Sequence, residues 1–330
     1  MSRNQPNPLP ERDADRAALG KLAIITVTYH PDLAVLARQI RQLPEEALLI
    51  VVDNASNRDA QDAIRSLLAS KDRAELLAMS ENIGLAAAAN RGVAAASAGG
   101  AKWALLLDQD SEPDPGAVAT LLQAWIALSA RNEPIGAVGP RLYDPCSGAE
   151  HGFHILRNGF WRREFPADDA APLRLNSLNG SGTLVAIDDF ETLGGLDESL
   201  FIDHVDTEWS FRMQAAGFSL YGIPQARFQH RMGESTRRVW LLGWRAWPQR
   251  SPERHYYLFR NAVRLMRRDY VPPAWKGWAC VKLALTALIQ GVTDQSRRKQ
   301  WRLMMRGMRE GMAGTENNRQ NSPRLQGKQK

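Results

Sequence analysis

Four apolar segments alternate with helical segments over residues 22–108, and this alternation constrains the fold more than any other feature of the chain. The predicted strands are Leu22–Thr28, Leu48–Val52, Glu75–Met79 and Trp103–Leu107. Helical spacing or alanine-rich composition predicts helices between them, over Asp32–Leu43, Asp59–Ala69 and Leu85–Ala98. Because such alternation implies right-handed crossovers, we predict one Rossmann-like α/β sheet, mostly parallel and flanked by helices.

Polar side chains follow the predicted strands at the points where the strands end. They are Thr28-Tyr29, Asp53-Asn54 and the triplet Asp108-Gln109-Asp110. Open α/β sheets bind ligands at the carboxyl ends of their strands, so we expect a binding site at this edge. The first strand is followed by His30-Pro31-Asp32 rather than by a glycine-rich loop. This excludes the usual cradles for a dinucleotide or a triphosphate.

The triplet Asp108-Gln109-Asp110 places two carboxylates at the end of a buried strand. Hard oxygen ligands of this kind suit Mg²⁺ or Mn²⁺, which can neutralise a departing diphosphate. A simple turn is the alternative, because Asp, Ser111 and Pro113 all favour turns. The position after the fourth strand favours the metal site.

Two further segments at this edge have both a binding and a structural interpretation. Asp53 suits a ribose hydroxyl or a base N–H, and a strand-end turn is the alternative. The segment Asn82-Ile83-Gly84 precedes an alanine-rich helix. Its backbone N–H groups could face a nucleotide, or Asn82 could simply lie near the helix cap.

The segment from Asp203 to Glu208 packs four ionisable residues into six positions. A buried carboxylate here could act as a general base, because burial raises the pKa of an acid. Helix capping by Asp206, with Glu208 facing Arg212, is the structural alternative and is compatible with it. His230 follows a short strand-like run, and a lone histidine is more often structural than a metal ligand.

Length and composition indicate one large α/β domain with an appended helical region. The chain has 330 residues, 44% of them hydrophobic, and only two cysteines, which excludes a disulfide framework or a cysteine zinc site. We expect a disordered extension over residues 1–20, the domain over 21–235, a basic helical region over 236–313 and a disordered tail over 314–330. Residues 140–175 are expected to be rich in loops. The polar N-terminus has no apolar signal core, so we expect a cytoplasmic protein.

The C-terminal region mixes basic residues with tryptophan and long aliphatic residues, and the net charge is +6. This composition is typical of helices that lie on a membrane surface, although a solvated helix face is the alternative. The apolar stretch Gly277–Val292 is interrupted by Lys282 and is shorter than the roughly 20 residues that span a bilayer.

The motifs, taken in chain order, resemble those of inverting family 2 glycosyltransferases with a GT-A fold, over about Leu22 to Gly233. These motifs are Val27-Thr28-Tyr29, Val52–Ser56, Glu81–Gly84, Leu107–Asp110 and Asp206-Thr207-Glu208 before Arg212. Three longer segments, Leu107–Ser111, Leu200–Trp209 and His255–Asn261, are similar to bacterial rhamnosyltransferases. Those enzymes use dTDP-L-rhamnose to build O-antigen, lipopolysaccharide core or rhamnolipids.

The resemblance implies a role for each matching residue. The nucleotide-sugar site would comprise Thr28, Tyr29, Asp53, Asn54, Asn82, Gly84 and Asp108. Asp110 and His230 would bind the Mg²⁺ or Mn²⁺. Asp206 falls at the position of the catalytic base, with Glu208 in the same motif. Because Val205 stands where the family has its first acidic residue, Asp203 is the reserve candidate for the base. Trp209 is expected to contact the acceptor.

The resemblance also implies the reaction: an acceptor hydroxyl displaces dTDP and inverts the anomeric carbon of L-rhamnose while Asp206 takes its proton. The expected acceptor is an envelope saccharide or glycolipid at the inner face of the cytoplasmic membrane, with no nucleic acid partner. Three alternatives stay open at this point. They are a family 2 enzyme for another nucleotide sugar, a sugar nucleotidyltransferase, and a non-catalytic basic protein that binds nucleic acid or membrane.

Overall fold

The computed structural model describes residues 9–131, 133–145, 148–230, 235–240, 244–293 and 296–314. The strands are β1 (Leu22–Thr28), β2 (Leu48–Asp53), β3 (Ala74–Ala78), β4 (Trp103–Asp108), β5 (Ser111–Pro113), β6 (Ile135–Tyr143), β7 (Phe153–Arg157), β8 (Phe160–Glu164), β9 (Leu173–Leu175), β10 (Thr183–Ala186), β11 (Ser219–His230), β12 (Ser235–Trp240) and β13 (Trp244–Gln249). The α-helices are α1 (Leu9–Leu19), α2 (Leu33–Gln42), α3 (Arg58–Leu68), α4 (Leu85–Ala98), α5 (Ala117–Ser129), α6 (Ile187–Thr192), α7 (Val205–Ala215), α8 (Pro252–Met266), α9 (Pro273–Thr293) and α10 (Arg297–Ala313).

A nine-stranded sheet in the order β3-β2-β1-β4-β10-β6-β11-β5, with β9 also paired to β11, forms the centre of the fold. The four strands predicted from the sequence form its parallel half, within one residue of their predicted bounds. Strand β10 then runs antiparallel to both of its neighbours. The α/β sheet flanked by helices is therefore confirmed, but it is mixed rather than mostly parallel.

Side chains along each parallel strand alternate between the two faces of the sheet, and each face has its own hydrophobic core. In β1, Ala23 and Ile25 face the core beneath α4, whereas Leu22 and Ile24 face the core beneath α2 and α5. Successive side chains of a strand point to opposite faces, so a strand covered on both sides has to be apolar throughout. This double burial leaves the strand ends as the places where polar side chains reach a ligand.

Three parts of the chain differ from the sequence expectation. Helix α1 lies where a disordered extension was expected, with residues 1–8 outside the described ranges. The segment expected to be loop-rich contains the end of β6 and the strands β7 to β9, and the long strand β11 follows α7. The region expected to be helical begins with the hairpin of β12 and β13 before helices α8 to α10. Of the predicted disordered tail, only Gly314 lies within the described residues.

None of the helices within the described ranges is both long enough and apolar enough to cross a membrane.

Candidate active site

The edge of the sheet brings His230 next to Asp108 and Asp110, from which it is far apart in sequence. Strand β11 pairs antiparallel with β5, and this register places His230 opposite Ser111. One ligand atom each of Asp108, Asp110 and His230 lies within 4.8 Å of the others. Two carboxylates and an imidazole at this spacing fit Mn²⁺ or Mg²⁺ by the chemistry of their donor atoms. The predicted ligands Asp110 and His230 thus lie together, and Asp108 joins them.

A relay of hydroxyl groups fixes these side chains in place. The backbone N–H of Asp108 donates to Ser181 Oγ at 3.1 Å, and Ser181 Oγ donates to Ser111 Oγ at 2.6 Å. Ser111 Oγ lies 2.6 Å from His230 Nδ1. Both serines are buried, so the relay orients the histidine ring without competition from water.

The electrostatic environment of Asp108 reflects this crowding. Burial raises the pKa of its carboxyl to about 6, and the negative charges of Asp110 and Asp206 act in the same direction, whereas His230 opposes them. A divalent cation would offset the repulsion among these carboxylates and favour their charged forms.

Asp206 lies in the first turn of α7. It lines a cavity that Asp108 and His230 also line. Its Oδ2 accepts the backbone N–H of Gly180 at 3.1 Å, and its Oδ1 accepts the N–H of Thr207 at 2.7 Å. Burial is the main cause that raises the pKa of this carboxyl above its usual value, although both backbone hydrogen bonds oppose the shift. Among the residues that the structure describes, the Asp206 carboxylate has no ion pair, and a raised pKa in such a group suits the acceptance of a proton.

Asp203, the reserve candidate for the base, lies in a different environment. Its carboxylate forms ion pairs with Arg250 and, at 3.3 Å, with Arg254, and it is almost fully buried. Although burial alone would raise the pKa of Asp203, the two guanidinium groups hold it far below its usual range. A carboxylate held in this way is a poor base, so the structure favours Asp206.

Glu208 is also unsuited to the catalytic role predicted from its motif. Its fully buried carboxylate pairs with Arg212 at 2.8 and 2.9 Å and with Arg268 at 2.8 Å. The hydroxyl of Tyr270 donates to it at 2.6 Å. Glu208 is absent from the lining of the cavity and instead anchors α7 to the segment after α8. We therefore assign it a structural role.

The loop before Asp206 has an unusual backbone that two residues of α8 hold. Phe201, Asp203 and His204 all have φ near +64°, a region that costs roughly 1–3 kcal/mol for such residues. The amide of Asn261 donates to the carbonyl oxygens of Leu200, Ile202 and Asp203 at 2.8 to 2.9 Å. Arg260 donates to the carbonyl of Ser199 and, in addition to Asn261, to that of Leu200. Helix α8 thus stabilises the conformation that presents Asp206.

The predicted nucleotide residues form two hydrogen-bonded turns beside the cluster. Asp53 is fully buried, and its carboxylate accepts hydrogen bonds from Thr28, Ser56 and Gln61. The backbone N–H of Tyr29 donates to Gln109 Oε1 at 2.7 Å, which ties the end of β1 to the acidic triplet. The structure therefore gives Asp53 a role in its turn, and direct contact of Asp53 with a nucleobase stays a prediction.

The second turn contains the predicted residues Asn54, Asn82 and Gly84. Asn54 Nδ2 donates to Asn82 Oδ1 at 2.9 Å, and the same oxygen accepts the N–H of Gly84 at 3.0 Å. Gly84 has φ of 90°, and a Cβ there would lie 2.6 Å from the ring of Phe201. Only glycine fits this contact, which docks the turn against the loop that carries Asp206.

The cavity that connects the acidic cluster with Asp206 has a volume of about 390 Å³. Asp108, Asp206 and His230 line it, together with Arg254 and the predicted acceptor residue Trp209. Trp209 is buried, and Arg212 lies over its ring at 4.8 Å, so its contact with an acceptor stays a prediction.

Sequence reasoning missed several residues of the site. The sequence pattern indicates only a turn at Ser111 and gives no role to Ser181. Asn261 lies in a motif that had been noted without a role for its side chain. Their functions depend on contacts between distant segments, which no local pattern indicates.

The mixed sheet flanked by helices, with an acidic cluster at its edge, is typical of the GT-A class of glycosyltransferase folds. Solved structures with similar folds include GalNAc-T7 with UDP, GalNAc and Mn²⁺ (TM-score 0.57, 17% identity, covering 88% of this chain and 56% of that one). Another is the mannosyltransferase PcManGT from Pyrobaculum calidifontis with GDP-Man and Mn²⁺ (TM-score 0.52, 15% identity, 89% of this chain and 86% of that one). At such identities the likeness shows the fold alone.

The sequence comparisons identify the family. Residues 24–168 match the profile of glycosyl transferase family 2. The chain is 31% identical over 250 residues to the dTDP-rhamnosyl transferase RfbF of Shigella flexneri. The aligned region covers 75% of this chain and 80% of that protein. It is 26% identical over 246 residues to the N-acetylglucosaminyl-diphospho-decaprenol L-rhamnosyltransferase of Mycobacterium tuberculosis, covering 66% and 78% respectively. The chain belongs to glycosyl transferase family 2 and is a glycosyltransferase.

Proposed function

We propose that the protein transfers L-rhamnose from dTDP-L-rhamnose to a hydroxyl group of a cell-envelope saccharide or glycolipid, with inversion at the anomeric carbon. The donor sugar is proposed from the similarity to two rhamnosyltransferases. One observation carries the mechanism: consecutive residues of a single loop contact both functional groups. The N–H of Gly180 donates to Asp206, and Ser181 accepts the N–H of Asp108. The base candidate and the acidic cluster therefore lie side by side on one cavity.

The residues present suit a cation at the diphosphate end of the donor. Asp108, Asp110 and His230 would hold Mg²⁺ or Mn²⁺, and the bound cation would neutralise the charge of the leaving dTDP. Ser111 and Ser181 keep the cluster oriented. Arg254, on the same cavity wall, is a further positive charge for a phosphate oxygen.

Asp206 would act as the general base. The acceptor oxygen attacks the anomeric carbon and gives its proton to the Asp206 carboxylate, while the bond from that carbon to the diphosphate oxygen breaks on the opposite face. Attack and departure on opposite faces invert the anomeric configuration. The hydrogen bonds from Gly180 and Thr207 orient the carboxylate for this transfer.

The proposed site of action is the inner surface of the cytoplasmic membrane, and helix α10 supplies the supporting surface. Large apolar side chains and arginines share its exposed face at helical spacing: Arg298, Trp301, Arg302, Met305, Arg309 and Met312. An amphipathic face of this composition binds anionic lipid through apolar burial and charge attraction. Flotation with vesicles tests this: we expect binding to phosphatidylglycerol vesicles that Trp301→Ser weakens. Equal recovery with neutral vesicles and with the variant would contradict it.

The decisive test of the reaction uses purified protein, a panel of dTDP-, UDP- and GDP-sugars, Mn²⁺ and envelope glycolipid acceptors. We expect rhamnosylated product and dTDP only with dTDP-rhamnose and a divalent cation. The Asp206→Asn variant should bind dTDP-rhamnose normally but turn over about 10²- to 10⁴-fold more slowly. Transfer from another nucleotide sugar in preference to dTDP-rhamnose would refute the donor assignment.

A further inference from the structure

One part of the cavity wall is cationic and aromatic and has no role in the mechanism above. Its members come from two elements that contribute nothing to the acidic cluster or to the Asp206 loop. Trp161 and Arg163 belong to β8, and Trp278 and Lys282 belong to α9. Positive charge inside a partly buried cavity is costly unless an anion accompanies it.

Lys282 is the central group of this wall. Its Nζ lies 4.6 Å from the centre of the Trp278 ring. Among the described residues its Nζ has no carboxylate within ion-pair distance and no hydrogen bond. Asp203 and Asp206 act on it only at longer range, and Asp203 is already paired with Arg250 and Arg254. Burial lowers the pKa of Lys282 to about 8, and the positive charges of Arg250 and Arg163 contribute. The amine is therefore still charged near neutral pH, among like charges.

Arg163 is a second cation on this wall of the cavity. Its Nε donates to His154 Nε2 at 3.3 Å, and within the described ranges it has no ion pair with an acid. The terminal nitrogens of its guanidinium can therefore bind an oxyanion in a bidentate manner. Lysine beside it adds a compact charge with three donors, and the two together match the chemistry of a phosphate group.

Aromatic rings lie beside the two cations. Trp161 and Trp278 have ring centres 6.5 Å apart, and His154 stacks on Trp161 at 5.8 Å. Rings of this kind offer large apolar faces for the sugar or the hydrocarbon next to a charged group. The wall therefore combines a place for an anion with a place for its apolar neighbour.

We infer that Lys282 and Arg163 form a subsite for a phosphate or diphosphate group of the acceptor, with Trp161 and Trp278 against the adjoining part of the acceptor. The inference rests on the proposed function, because it seats the acceptor in the cavity that contains Asp206. The donor diphosphate has its own place at Asp108, Asp110 and His230. The same phosphate chemistry has two possible sources, a lipid-linked diphosphate or a phosphorylated saccharide, and the experiment separates them.

The test is equilibrium binding to the full chain with saturating dTDP and Mn²⁺, so that the donor site is filled. The probes are decyl diphosphate, N-acetylglucosamine 1-phosphate and the neutral decyl glucoside. We expect Lys282→Met to weaken binding of a phosphate probe by about tenfold or more, because it removes a charge-assisted contact. Lys282→Arg should retain most of the affinity. Lys276→Met is the matched control, since Lys276 lies on the same helix and donates to the carbonyl of Arg268, away from the cavity lining.

Each result has a defined meaning. Lys282-dependent binding of decyl diphosphate identifies a lipid-linked source, and Lys282-dependent binding of the sugar phosphate identifies a phosphorylated saccharide. Equal binding of the phosphate probes to wild type and to Lys282→Met, or an equal loss in Lys276→Met, would overturn the subsite. Wild-type protein that binds dTDP with Mn²⁺ but prefers decyl glucoside would refute the subsite and leave the proposed function intact. Failure to bind dTDP would refute the donor proposal, and the decyl diphosphate result would still report on Lys282.

Discussion

Two carboxylates two positions apart on α7 should respond in opposite ways to the loss of their charge. Glu208 is fully buried against Arg212, Arg268 and the Tyr270 hydroxyl. Removing one partner of a buried ion pair costs about 3–5 kcal/mol. Because the two arginine side chains keep 23% and 25% of their exposure, we expect Glu208→Gln to lower the free energy of unfolding by about 3 kcal/mol, the lower end of that range.

A loss of that size should lower the melting temperature by roughly 6 °C, since 1 kcal/mol corresponds to about 2 °C in a domain of more than 150 residues. The chemistry should survive, because the Glu208 carboxylate does not reach the cavity. We expect turnover of Glu208→Gln, measured well below its melting temperature, to stay within about tenfold of wild type, a limit of about 1.4 kcal/mol on the barrier.

Asp206→Asn should show the reverse. It removes no ion pair, and its one remaining side-chain oxygen keeps one of the two backbone hydrogen bonds from Gly180 and Thr207. The lost hydrogen bond costs about 1 kcal/mol. Part of this cost is offset because the neutral asparagine avoids burying a negative charge, the burial that raises the pKa of Asp206. The melting temperature should therefore change by less than about 2 °C, whereas turnover falls by about 10²- to 10⁴-fold.

Differential scanning fluorimetry and a dTDP-release assay on both variants measure the two effects. Glu81→Gln, which neutralises an exposed carboxylate, is the control and should change neither quantity. If Glu208→Gln kept its melting temperature but lost turnover as Asp206→Asn does, the structural assignment of Glu208 would be wrong and its predicted catalytic role would stand.

Three further predictions follow from the cluster and the loop. His230→Ala should weaken Mn²⁺ binding by about 10- to 100-fold in calorimetry, since it removes a ligand, and an unchanged affinity would exclude His230 from the site. Mn²⁺ affinity should fall by about tenfold per pH unit below about pH 6, because protons then compete for Asp108, whose pKa burial raises to about 6; a flat titration from pH 7 to 5 would contradict this. Asn261→Ala removes the side-chain donor of the Ile202 and Asp203 carbonyls, while Arg260 still donates to Leu200, and should destabilise the fold by about 2 kcal/mol or more, with kcat reduced and the donor KM little changed. A fall in stability with kcat unchanged would show that Asn261 does not position the Asp206 loop.

The parallel half of the sheet could be predicted because local pattern and tertiary environment agree there. Strands such as Leu22–Thr28 are covered by helices on both faces, so their apolar runs are continuous and distinctive. Helix α2 begins next to the capping residue Asp32, whose side chain accepts from two backbone N–H groups of the first turn. These signals lie within a few residues of the structures they specify.

The strands beyond β4 lack such signals. Strand β8 contains Arg162, Arg163 and Glu164 and lies in a separate two-stranded sheet, where within the described residues it pairs with its hairpin partner β7 alone, so its composition resembles that of a loop. Strand β11 is interrupted by a register shift between Ile223 and Arg227. Pairings of this kind depend on contacts across long stretches of sequence, and local propensity is weak evidence for them.

The same distinction explains which site residues could be assigned from the sequence. The acidic triplet follows a predictable strand, so its place at the edge of the sheet could be deduced. The choice among Asp203, Asp206 and Glu208 could not be made from their spacing. Arg250 and Arg254, which lie outside α7, hold Asp203 in ion pairs. Arg212 and Arg268 do the same for Glu208, and these pairings leave Asp206 as the favoured base.

The half of the sheet beyond β4 therefore brings the two functional groups together. Strand β10 inserts between β4 and β6, and the loop that leads into it places Gly180 and Ser181 between Asp206 and Asp108. Strand β11 returns to pair with β5, and that pairing brings His230 to the acidic triplet. A parallel sheet alone would present the carboxylates but would lack the histidine and the link to Asp206. Breaking the Ser181 link with Ser181→Ala should therefore impair Mn²⁺ binding and turnover together, although Ser181 would neither hold the cation nor take the proton of the acceptor. Loss of turnover with unchanged Mn²⁺ affinity would show that the loop positions Asp206 alone.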